Sequence, residues 1–575
     1  MFQSNKERQL IVLGCSLVKL NTPGFLPAIE RYDGPSYRVL RSFLRKSVWP
    51  KRLSVAVLSA RYGLIGGLTP IEYYDQRMDQ HRAAELRGQV TDTLLGWGQD
   101  HQTINLILGK DYLQALGLDE LYRKGIKVKI VDGGIGSKLG RLKELLEGMR
   151  EELRFPNLLR PNGGKPLYFL PDWDDVVDVD YDFRRDLFSK ANKNERVEKH
   201  VVQLMQPNRI CDGVLVSLAQ NMGSKGFLKK FGPADERALA PRSVREVFGV
   251  SHDQWVFGDC GAFSYVKEPE PTITTEQAVA LYQLYGFDLG ASVDHIPVPE
   301  ITTREGKLAL DYAEQKRRIK LTRDNAEAFI ELHRKRKCTF IPVGVIQGIT
   351  AEDYAYQLPA YLEMGYQHIA LGGLVPRTDE EVLNVVRAVN NAMPKNQQRP
   401  WIHLLGVFRP KIQAELRELG VNSFDSATYF RKAWLRSGQN YLGTDGKWYA
   451  AIRVPPTSDP RIRMRLKESG KSWEEIKRLE ATTLEALHEY GEGRVSLNSV
   501  LEALSAYDSL LNRKEGAETD FIKAYKHTLE AKPWEQCDCP VCTSLGIDVV
   551  IFRGYNRNKR RGAHNTLMLY RLIGQ

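Results

Sequence analysis

Two aspartates stand at the ends of short apolar stretches, where a carboxylate can do chemistry. Asp259 ends the stretch Val256–Asp259, and the chain then turns through Gly261. Asp425 ends a second short stretch that begins at Gly420. Enzymes built from alternating strands and helices keep their catalytic groups at the carboxyl ends of the strands. Two acids delivered by separate strand ends can divide the roles of nucleophile and proton donor.

Four other predicted strand ends carry groups suited to a flat polar ligand. They are Asp294, Gln347-Gly348, Gly372-Gly373 and Leu405-Gly406. A carboxylate accepts hydrogen bonds from the N–H groups of a purine-like ring, and a glutamine amide can donate to its carbonyl. Paired glycines let a ligand approach the backbone closely. Taken singly, each is an ordinary capping or turn residue; taken together with the two aspartates, they predict a base-binding pocket.

Three cysteines crowd into the segment Cys537-Asp-Cys539-Pro-Val-Cys542. Thiolates so close in sequence can surround one ion, and His564, which we expect to open a helix, is the candidate fourth ligand. Four protein ligands leave no position for water, so the predicted ion is a structural zinc. The alternatives are an iron–sulfur cluster, which usually takes a fourth cysteine, or three unrelated thiols.

Alternating strands and helices must position these residues. Helical patterns separate eight apolar stretches, a pattern typical of a (β/α)8 TIM barrel, with a doubly wound sheet as the alternative. The predicted strands are Tyr168–Leu170, Gly213–Ser217, Trp255–Asp259, Leu289–Val293, Phe340–Ile346, His368–Leu371, Trp401–Gly406 and Ser423–Asp425. The predicted helices include Thr275–Tyr285, Ala351–Glu363, Asp379–Met393 and Lys411–Leu419.

A separate α/β domain is predicted over residues 1–153. Its expected parallel strands are Leu10–Cys15, Leu53–Leu58, Ile104–Leu108 and Val128–Val131. Polar residues follow the strand ends, among them Lys19, Arg61 and Lys110, and such ends form the ligand crevice of open α/β sheets. A scaffold with ordinary turn residues is an equal alternative. The segments around Cys15 and Arg61 loosely resemble the YaaA family, a resemblance that implies no chemistry.

The remaining boundaries follow from composition. A linker rich in Pro, Asn and Gly separates the first domain from a barrel over residues 166–456. Residues 457–531 are charged and helical in pattern, with predicted helices at Trp473–Tyr490, Leu497–Leu511 and Thr519–Leu529. We expect this insertion to precede a zinc-binding subdomain over residues 532–575, which completes the catalytic domain.

Charge and hydropathy narrow the class of protein. The formal charge of the 575 residues is +11, and the pI near 9.1 favours a polyanionic partner such as nucleic acid. No apolar run approaches the ~18 residues of a membrane span, and no signal peptide is apparent, so we expect a cytoplasmic protein without a membrane partner. Four basic segments are candidate phosphate contacts, although each alone is an ordinary solvated face: Lys225–Lys230, Lys316–Arg323, Arg334–Lys337 and Arg553–Arg561.

Six motifs in order resemble those of the tRNA-guanine transglycosylases, from about Leu167 to Leu572. They are Asp259-Cys-Gly-Ala-Phe263, Gly344-Val-Ile-Gln347-Gly, Leu371-Gly-Gly-Leu374, Leu404-Leu-Gly-Val407, Phe424-Asp425-Ser and the Cys537-x-Cys-x-x-Cys…His564 set. Variants such as Tyr168–Asp175 and Cys211–Ser217 are most similar to the DpdA branch. Its members are DNA-guanine transglycosylases, which insert 7-deazaguanine bases into DNA.

The resemblance implies a role for each matching residue. Asp425 would be the nucleophile that attacks C1′ of the nucleotide, and Asp259 the general acid/base. The base edge would be read by Asp294, Gln347 and the Gly372-Gly373 backbone, with Phe263 and Leu405 against its faces. Cys537, Cys539, Cys542 and His564 would bind zinc away from the chemistry.

Two departures from the family pattern bear on the substrate. Cys260 and Ser264 replace the Ser and Gln of the family's Asp-Ser-Gly-Gly-Phe-Gln motif. The insertion lengthens the gap between Asp425 and Cys537 and weakens the case for tRNA. We therefore expect DNA and a 7-cyano-7-deazaguanine-type base as substrates, with protein partners from a DNA-modification system. A tRNA-guanine transglycosylase and an inactive zinc-containing nucleic-acid-binding subunit are the alternatives.

Overall fold

The computed structural model describes residues 8–151, 165–172, 175–221, 237–303, 306–394, 398–435, 438–460, 463, 470–511 and 521–573. The predicted basic segment Lys225–Lys230 lies outside these residues. The chain divides into two compact units. One comprises residues 1–159, 216–247 and 255–402, and the other comprises residues 160–215, 248–254 and 403–575.

The amino-terminal region contains seven strands and six helices in its described part. The strands are β1 (Gln9–Gly14), β2 (Leu26–Pro27), β3 (Leu53–Ser59), β4 (Gly63–Gly66), β5 (Pro70–Ile71), β6 (Thr103–Ile107) and β7 (Val128–Ile130). The helices are α1 (Ala28–Arg31), α2 (Pro35–Leu44), α3 (Gln80–Gly98), α4 (Lys110–Gln114), α5 (Leu118–Arg123) and α6 (Ile135–Glu147).

A five-stranded sheet in the order β4-β3-β1-β6-β7 organises this region. Strand β1 pairs in parallel with both β3 and β6, so that Val12 lies between Ala56 and Leu106 in a fully buried core. The four strands predicted from apolar runs are β1, β3, β6 and β7. The edge strand β4 escaped prediction because it is a short antiparallel return from β3, built around Gly63 and Gly66.

The middle of the chain, residues 165–460, supplies the strands of a barrel and of several two-stranded sheets. The strands are β8 (Leu167–Pro171), β9 (Val176–Asp178), β10 (Glu198–His200), β11 (Gly213–Ser217), β12 (Trp255–Asp259), β13 (Leu289–Ala291), β14 (Glu300–Thr303), β15 (Gly306–Ala309), β16 (Ile341–Ile346), β17 (His368–Leu371), β18 (Trp401–Leu404), β19 (Val421–Asp425), β20 (Tyr441–Leu442), β21 (Trp448–Tyr449) and β22 (Ile452–Arg453). The helices are α7 (Val201–Leu204), α8 (Leu218–Asn221), α9 (Val244–Phe248), α10 (Thr275–Leu284), α11 (Tyr312–Arg336), α12 (Ala351–Met364), α13 (Asp379–Asn391), α14 (Gln413–Glu418) and α15 (Thr428–Lys432).

Eight of these strands close a barrel in the order β11-β12-β13-β16-β17-β18-β19-β8. The described registers within it are parallel, as between β8 and β19, where Asp425 lies beside Phe169. The predicted TIM barrel is confirmed. Its strands are continuous apolar runs because a parallel barrel packs side chains inside and helices outside. Asp259 and Asp425 are the last residues of β12 and β19, as predicted.

Local signals fix the starts of the barrel helices. Thr274, Thr350 and Thr378 each cap a helix, and a side chain three residues later returns a hydrogen bond to the cap backbone. The 25-residue helix α11 was predicted only as two basic segments, since charged residues hide its apolar stripe. Among the described helices, none combines the length and apolar character that a membrane crossing requires.

The part of the chain after residue 470 is mainly helical. Its elements are α16 (Trp473–Gly491), α17 (Leu497–Asp508), α18 (Phe521–Ala531), α19 (Pro540–Leu545), β23 (Ile551–Phe552) and α20 (Gly554–Ile573). The three helices predicted for the insertion are α16, α17 and α18. One prediction here is wrong: His564 lies in the middle of α20 and does not open it. The helix begins earlier because the basic residues after Gly554 find partners and are buried with its apolar residues.

Candidate active site and zinc centre

Asp259 ends β12 above a tight turn that fixes its carboxylate. The backbone N–H of Gly261 donates to Asp259 Oδ2 at 3.0 Å. Gly261 has φ +85°, and a Cβ there would lie 2.2 Å from Ser217 Oγ, so only glycine fits. The turn therefore holds a half-buried carboxylate at the carboxyl end of a barrel strand.

Asp294, three residues beyond β13, sits in a closed polar cluster. Cys260 Sγ donates to its Oδ1 at 2.7 Å, and Gln347 Nε2 donates to its Oδ2 at 2.6 Å. Tyr265 Oη lies 3.0 Å from Cys260 Sγ and donates to the Asp294 carbonyl at 2.9 Å. Burial raises the pKa of the Asp294 carboxyl above its ordinary value, and the bonds from Cys260 and Gln347 act in the opposite direction. The structure thus brings together two of the predicted base-reading residues.

The Gly372-Gly373 pair packs against Gln347. A Cβ on Gly372 would lie 2.2 Å from Gln347 Nε2, and one on Gly373 would lie 2.7 Å from its Oε1. Tyr354 Oη donates to the Gly372 carbonyl at 2.7 Å and holds this backbone in place. The two glycines therefore leave room for the Gln347 side chain. This packing explains their small size more directly than the approach of a ligand does.

Asp425 is oriented by a histidine that the sequence analysis did not single out. His403 Nε2 lies 3.2 Å from Asp425 Oδ1, and the Gly406 N–H donates to the same oxygen at 2.7 Å. The other nitrogen of His403, Nδ1, lies 2.8 Å from Ser423 Oγ. Among the described residues Asp425 Oδ2 accepts no hydrogen bond, so this oxygen is the one suited to nucleophilic attack.

Phe263 and Leu405, expected against the faces of the base, differ in exposure. Phe263 lies in a 3₁₀ turn after Gly261 with 68% of its surface exposed, which is unusual for a phenylalanine. Leu405 is half-buried directly after β18. An exposed aromatic ring beside a polar cluster is a natural surface for stacking a flat ligand.

The four predicted zinc ligands form one buried cluster. Cys537, Cys539, Cys542 and His564 each offer one ligand atom, all within 4.8 Å of one another, and all four are at most 4% exposed. The His564 Nδ1 lies 3.3–3.6 Å from the three sulfurs. Three thiols and one imidazole are a donor set of structural zinc sites, so the residues fit the predicted ion.

Neighbouring groups hold these ligands in orientation. His564 Nε2 lies 2.7 Å from the Leu442 carbonyl, which directs Nδ1 toward the thiols. The ring of Tyr441 stacks on His564 at 4.1 Å, and its Oη lies 3.2 Å from Cys542 Sγ. The cluster therefore joins β20, α19 and α20, and outer partners of this kind fix the tautomer of a ligating histidine.

Comparison with known proteins identifies the chain. Residues 263–550 match the protein-family model described as "Queuine tRNA-ribosyltransferase". A DNA-guanine transglycosylase from Salmonella montevideo is 34% identical over 405 residues, which cover 70% of this chain and 95% of that protein. The chain belongs to the tRNA-guanine transglycosylase superfamily. The predicted resemblance is confirmed, and the protein is a guanine transglycosylase, a pentosyltransferase.

Relatives named as tRNA enzymes match this transglycosylase less extensively. The tRNA-guanine(15) transglycosylase of Thermococcus onnurineus is 25% identical over 305 residues, 51% of this chain and 48% of that protein. The queuine tRNA-ribosyltransferase of Psychrobacter sp. is 29% identical over 145 residues, 25% of this chain and 37% of that protein. The chain thus spans about half the length of the Thermococcus relative.

The basic run Arg553–Arg561 of the transglycosylase is not a phosphate-binding surface, and that prediction is wrong. Its four arginines are at most 8% exposed. Arg553 pairs with Asp186 and Glu480, and Arg557 pairs with Asp186 and Asp548. Arg560 and Arg561 donate to backbone carbonyls. Sequence alone could not reveal this because two of the acidic partners, Asp186 and Glu480, are distant in the chain.

Several cationic side chains of helix α11 are also paired with carboxylates. Lys316 pairs with Asp353 at 2.7 Å, and Arg318 pairs with Glu314 at 2.7 Å. Near its end, Arg336 pairs with Glu30 at 3.0 Å. The segments Lys316–Arg323 and Arg334–Lys337 therefore offer less free charge than their composition suggests.

A second group of possible metal ligands lies near the first barrel strand. Asp172, Asp175 and His200 are buried, with one ligand atom from each within 4.8 Å of the others. His200 Nε2 lies 3.8 Å from Asp175 Oδ2. The two aspartates occur in the motif Tyr168–Asp175, but nothing in the sequence links them to a histidine 25 or more residues later.

Proposed function

We propose that this transglycosylase exchanges guanine in DNA for a 7-deazaguanine base of the 7-cyano-7-deazaguanine type. The observation that carries the proposal is the extent of the similarity. The match covers 95% of the Salmonella protein, whose name specifies DNA, but only 48% of the Thermococcus protein, whose name specifies tRNA. The three helices α16, α17 and α18 lie between Asp425 and the zinc ligands, where the sequence departs from the tRNA enzymes.

Asp425 is the proposed nucleophile. Breaking the bond between C1′ and the base nitrogen has an oxocarbenium-like transition state, which a nearby carboxylate can capture as an ester. His403 and the Gly406 N–H bind Oδ1 and leave Oδ2 for C1′. The guanine leaves with the bonding electron pair and requires a proton. The incoming base then displaces the carboxylate, so the exchange proceeds through two displacements with retention and without ATP.

Asp259 is the proposed general acid/base. It gives a proton to the departing guanine and takes one from the incoming base, so that no net proton is consumed. The Gly261 N–H donates to Asp259 Oδ2 and so orients the carboxylate for the transfer. A half-buried position lets this carboxylate meet a nucleotide without a large rearrangement.

The cluster around Asp294 is the proposed reader of the base edge. Guanine and its 7-deaza analogues present adjacent ring and amino N–H donors, which suit one carboxylate. Gln347 can offer its amide to the ring carbonyl, and the backbone of Gly372 and Gly373 borders the same side chain. We infer that an arriving base displaces the Cys260 thiol from Asp294. The faces of the base would lie against Phe263 and Leu405.

A cationic and aromatic platform is the proposed contact for the strand beside the target base. Lys432 Nζ lies 4.2 Å from the Trp448 ring centroid and 5.6 Å from that of Tyr429. The two rings lie 5.3 Å apart, and Tyr429 follows Asp425 by four residues. Bases of single strands stack on such rings for about 1–3 kcal/mol each. A duplex hides C1′, so the target must be flipped or locally melted.

Zinc has a structural role in this proposal. Cys537, Cys539, Cys542 and His564 would hold the ion, and its coordination would fix α19 and α20 against β20. All four positions are protein ligands, which leaves no place for a substrate.

The decisive experiment is a denaturing gel of the full chain with guanine-containing single-stranded DNA, and separately with tRNA. We expect a covalent adduct with DNA that disappears in Asp425→Asn and persists in Asp119→Asn, a matched control on the surface of α5. Nucleoside mass spectrometry should then find the 7-deazaguanine base in DNA after its addition. An adduct with tRNA alone would assign the activity to tRNA, and no adduct with either would indicate an inactive subunit.

A further inference from the structure

We propose that the amino-terminal α/β region contains a second ligand site, which binds a phosphorylated nucleoside at the carboxyl edge of its sheet. The matched family region, residues 263–550, does not include this part of the chain. The inference is independent of which nucleic acid the barrel modifies.

The topology of the sheet places a crevice there. From β1 the chain crosses to β3 on one side, and from β6 it crosses to β7 on the other. Adjacent parallel strands whose connections diverge leave an opening outside their carboxyl ends, where α/β proteins bind ligands. Cys15 follows β1 at this point, and α4 follows β6.

The floor of the crevice is preformed by side chains from both strand ends. Tyr112 of α4 donates to the Cys15 carbonyl at 2.9 Å, and its Oη lies 3.1 Å from Cys15 Sγ. A Cβ on Gly14 would lie 3.3 Å from the Tyr112 ring, so the small residue permits this packing. Tyr37 Oη donates to the Gly14 carbonyl at 2.9 Å. Ligand sites are usually rigid in this way before the ligand arrives.

Two cations lie over one aromatic ring beside this floor. Lys19 Nζ is 4.5 Å and the Arg61 guanidinium 5.9 Å from the centroid of Tyr74. Tyr74 is fixed by hydrogen bonds of 2.6 Å to Tyr32 and 2.8 Å to Ser59, the last residue of β3. Neither cation forms a salt bridge with any carboxylate of the described residues. Asp75 acts on Lys19 only beyond ion-pair distance, so two cations beside one ring favour an anion near them.

The surroundings of the two cations suit a ligand that has an apolar part as well as an anionic group. Leu17 and Val18, in the loop between Cys15 and Lys19, are 62% and 53% exposed. Tyr62 adds an aromatic edge 5.4 Å from Tyr74. A phosphate beside Lys19 and Arg61, with a flat base along these apolar groups, satisfies both features. The same chemistry belongs to a free mononucleotide and to a nucleotide within a DNA strand.

Cys15 provides a readout inside the site. In the full-length protein, the rate of Cys15 alkylation by iodoacetamide is measured by peptide mass spectrometry with increasing guanosine 5′-monophosphate. We expect saturating nucleotide to slow the reaction at least tenfold, inorganic phosphate to protect only at higher concentration, and guanosine to give little protection. Cys338, a half-buried thiol outside the crevice, should react at an unchanged rate.

Variants separate this site from the barrel. Lys19→Ala and Arg61→Ala should each raise at least tenfold the nucleotide concentration that gives half-maximal protection of Cys15. The Arg61 side chain is exposed, so its removal should not disturb folding. Lys124→Ala, just before β7 at the opposite edge of the sheet, should leave this concentration unchanged, as should Asp294→Ala in the barrel. Calorimetric titration of the same proteins with the nucleotide provides a thiol-independent measurement.

The two sources are distinguished by a short single-stranded DNA. Protection at lower concentrations of DNA than of mononucleotide would identify a strand-binding site, and the reverse would identify a free nucleotide. The proposal is overturned if neither probe slows Cys15 alkylation, or if protection is the same in wild type, Lys19→Ala and Arg61→Ala.

Discussion

His403 Nε2 lies within hydrogen-bond distance of Asp425 Oδ1, at 3.2 Å, and Ser423 Oγ lies 2.8 Å from the other imidazole nitrogen, Nδ1. The tautomer with its N–H at Nε2 lets His403 accept a hydrogen bond from the Ser423 hydroxyl at Nδ1 and donate one to the Asp425 carboxylate. Ser423 and Asp425 are both on β19, so the histidine contacts two residues of the strand that ends in the proposed nucleophile. The carboxylate is thereby held in one rotamer.

Loss of this orientation of Asp425 should slow the formation of the proposed covalent intermediate. We expect His403→Ala to lower kcat by about 10²-fold, because small displacements of a reacting group carry penalties of that size. The KM for the base should remain within a factor of two or three. His368→Asn, at the first residue of β17, is the matched control and should keep kcat. Equal losses in both variants would show a general effect on the barrel.

The affinity for the incoming base should depend on pH through Asp294. Burial raises the pKa of this carboxyl above 3.8, and only the carboxylate accepts two base N–H groups. Base affinity should therefore fall as the pH drops through a midpoint above 3.8. Equilibrium binding across a pH series measures the midpoint, and a value at or below 3.8 would contradict the assignment.

The same raised pKa predicts the opposite trend for stability without a ligand. A protonated Asp294 stabilises the fold fully below its unfolded pKa, and this contribution is lost as the pH rises through the folded pKa. Asp294→Asn mimics the protonated form, so it should be at least as stable as wild type at pH 7 while losing base affinity. Urea unfolding of both proteins is the measurement.

A methyl group at Gly372 should weaken base binding without touching the base. Its Cβ would lie 2.2 Å from Gln347 Nε2, which must move and release its bond to Asp294. A hydrogen bond to a charged group contributes about 1.5–3 kcal/mol, so KM should rise about 10- to 100-fold in Gly372→Ala. Gly140→Ala, in open space on α6, should leave KM unchanged and slightly stabilise the helix.

One zinc ion per chain should depend on the buried cluster. Cys539→Ala should lose the ion and unfold the region around α19 and α20, because structural zinc contributes on the order of 10 kcal/mol in small modules. Metal analysis and thermal unfolding test this. Cys338→Ala, which removes a thiol outside the cluster, should keep both the zinc and the melting temperature. A wild-type protein without stoichiometric zinc would refute the assignment.

Mutation of Arg557 should lower stability, whereas mutation of Lys432 should change the salt dependence of DNA binding. Arg557→Ala removes a buried cation that pairs with both Asp548 and Asp186 and should cost about 3–5 kcal/mol of stability, with the salt dependence of DNA binding unchanged. Lys432→Ala should keep stability and reduce the slope of log affinity against log salt by about one. Urea unfolding and filter binding separate these effects.

The sequence predicted the fold well where apolar periodicity is uninterrupted. All eight barrel strands and the helices that follow β12, β16 and β17 were predicted because apolar runs alternate there with helical patterns. Helix α11 was harder because its buried positions include Gln315, Arg318 and Thr322, which are polar in type. Burial of a charged residue depends on partners that composition does not show.

The site was predicted only as far as residue type allows. The four predicted zinc ligands form one cluster as expected, since three of them lie within six residues of sequence. His403 was missed because a lone histidine inside an apolar strand has no sequence signal, and its meaning depends on Asp425 in the next strand. The Cys260 contact with Asp294 likewise requires the register of two barrel strands.

Helix α20 makes the order of synthesis matter. It supplies His564 to the predicted zinc cluster, Asn556 to the backbone of β9, and Arg557 to Asp186. The partners of these three residues precede α20 in the chain and leave the ribosome before it. Until α20 emerges, Asp186 lacks the positive charge of Arg557, and the three cysteines lack the histidine that would complete the metal site. A chain interrupted before α20, by a nonsense codon or a protease, should therefore give a degradable product and not a partly active transglycosylase.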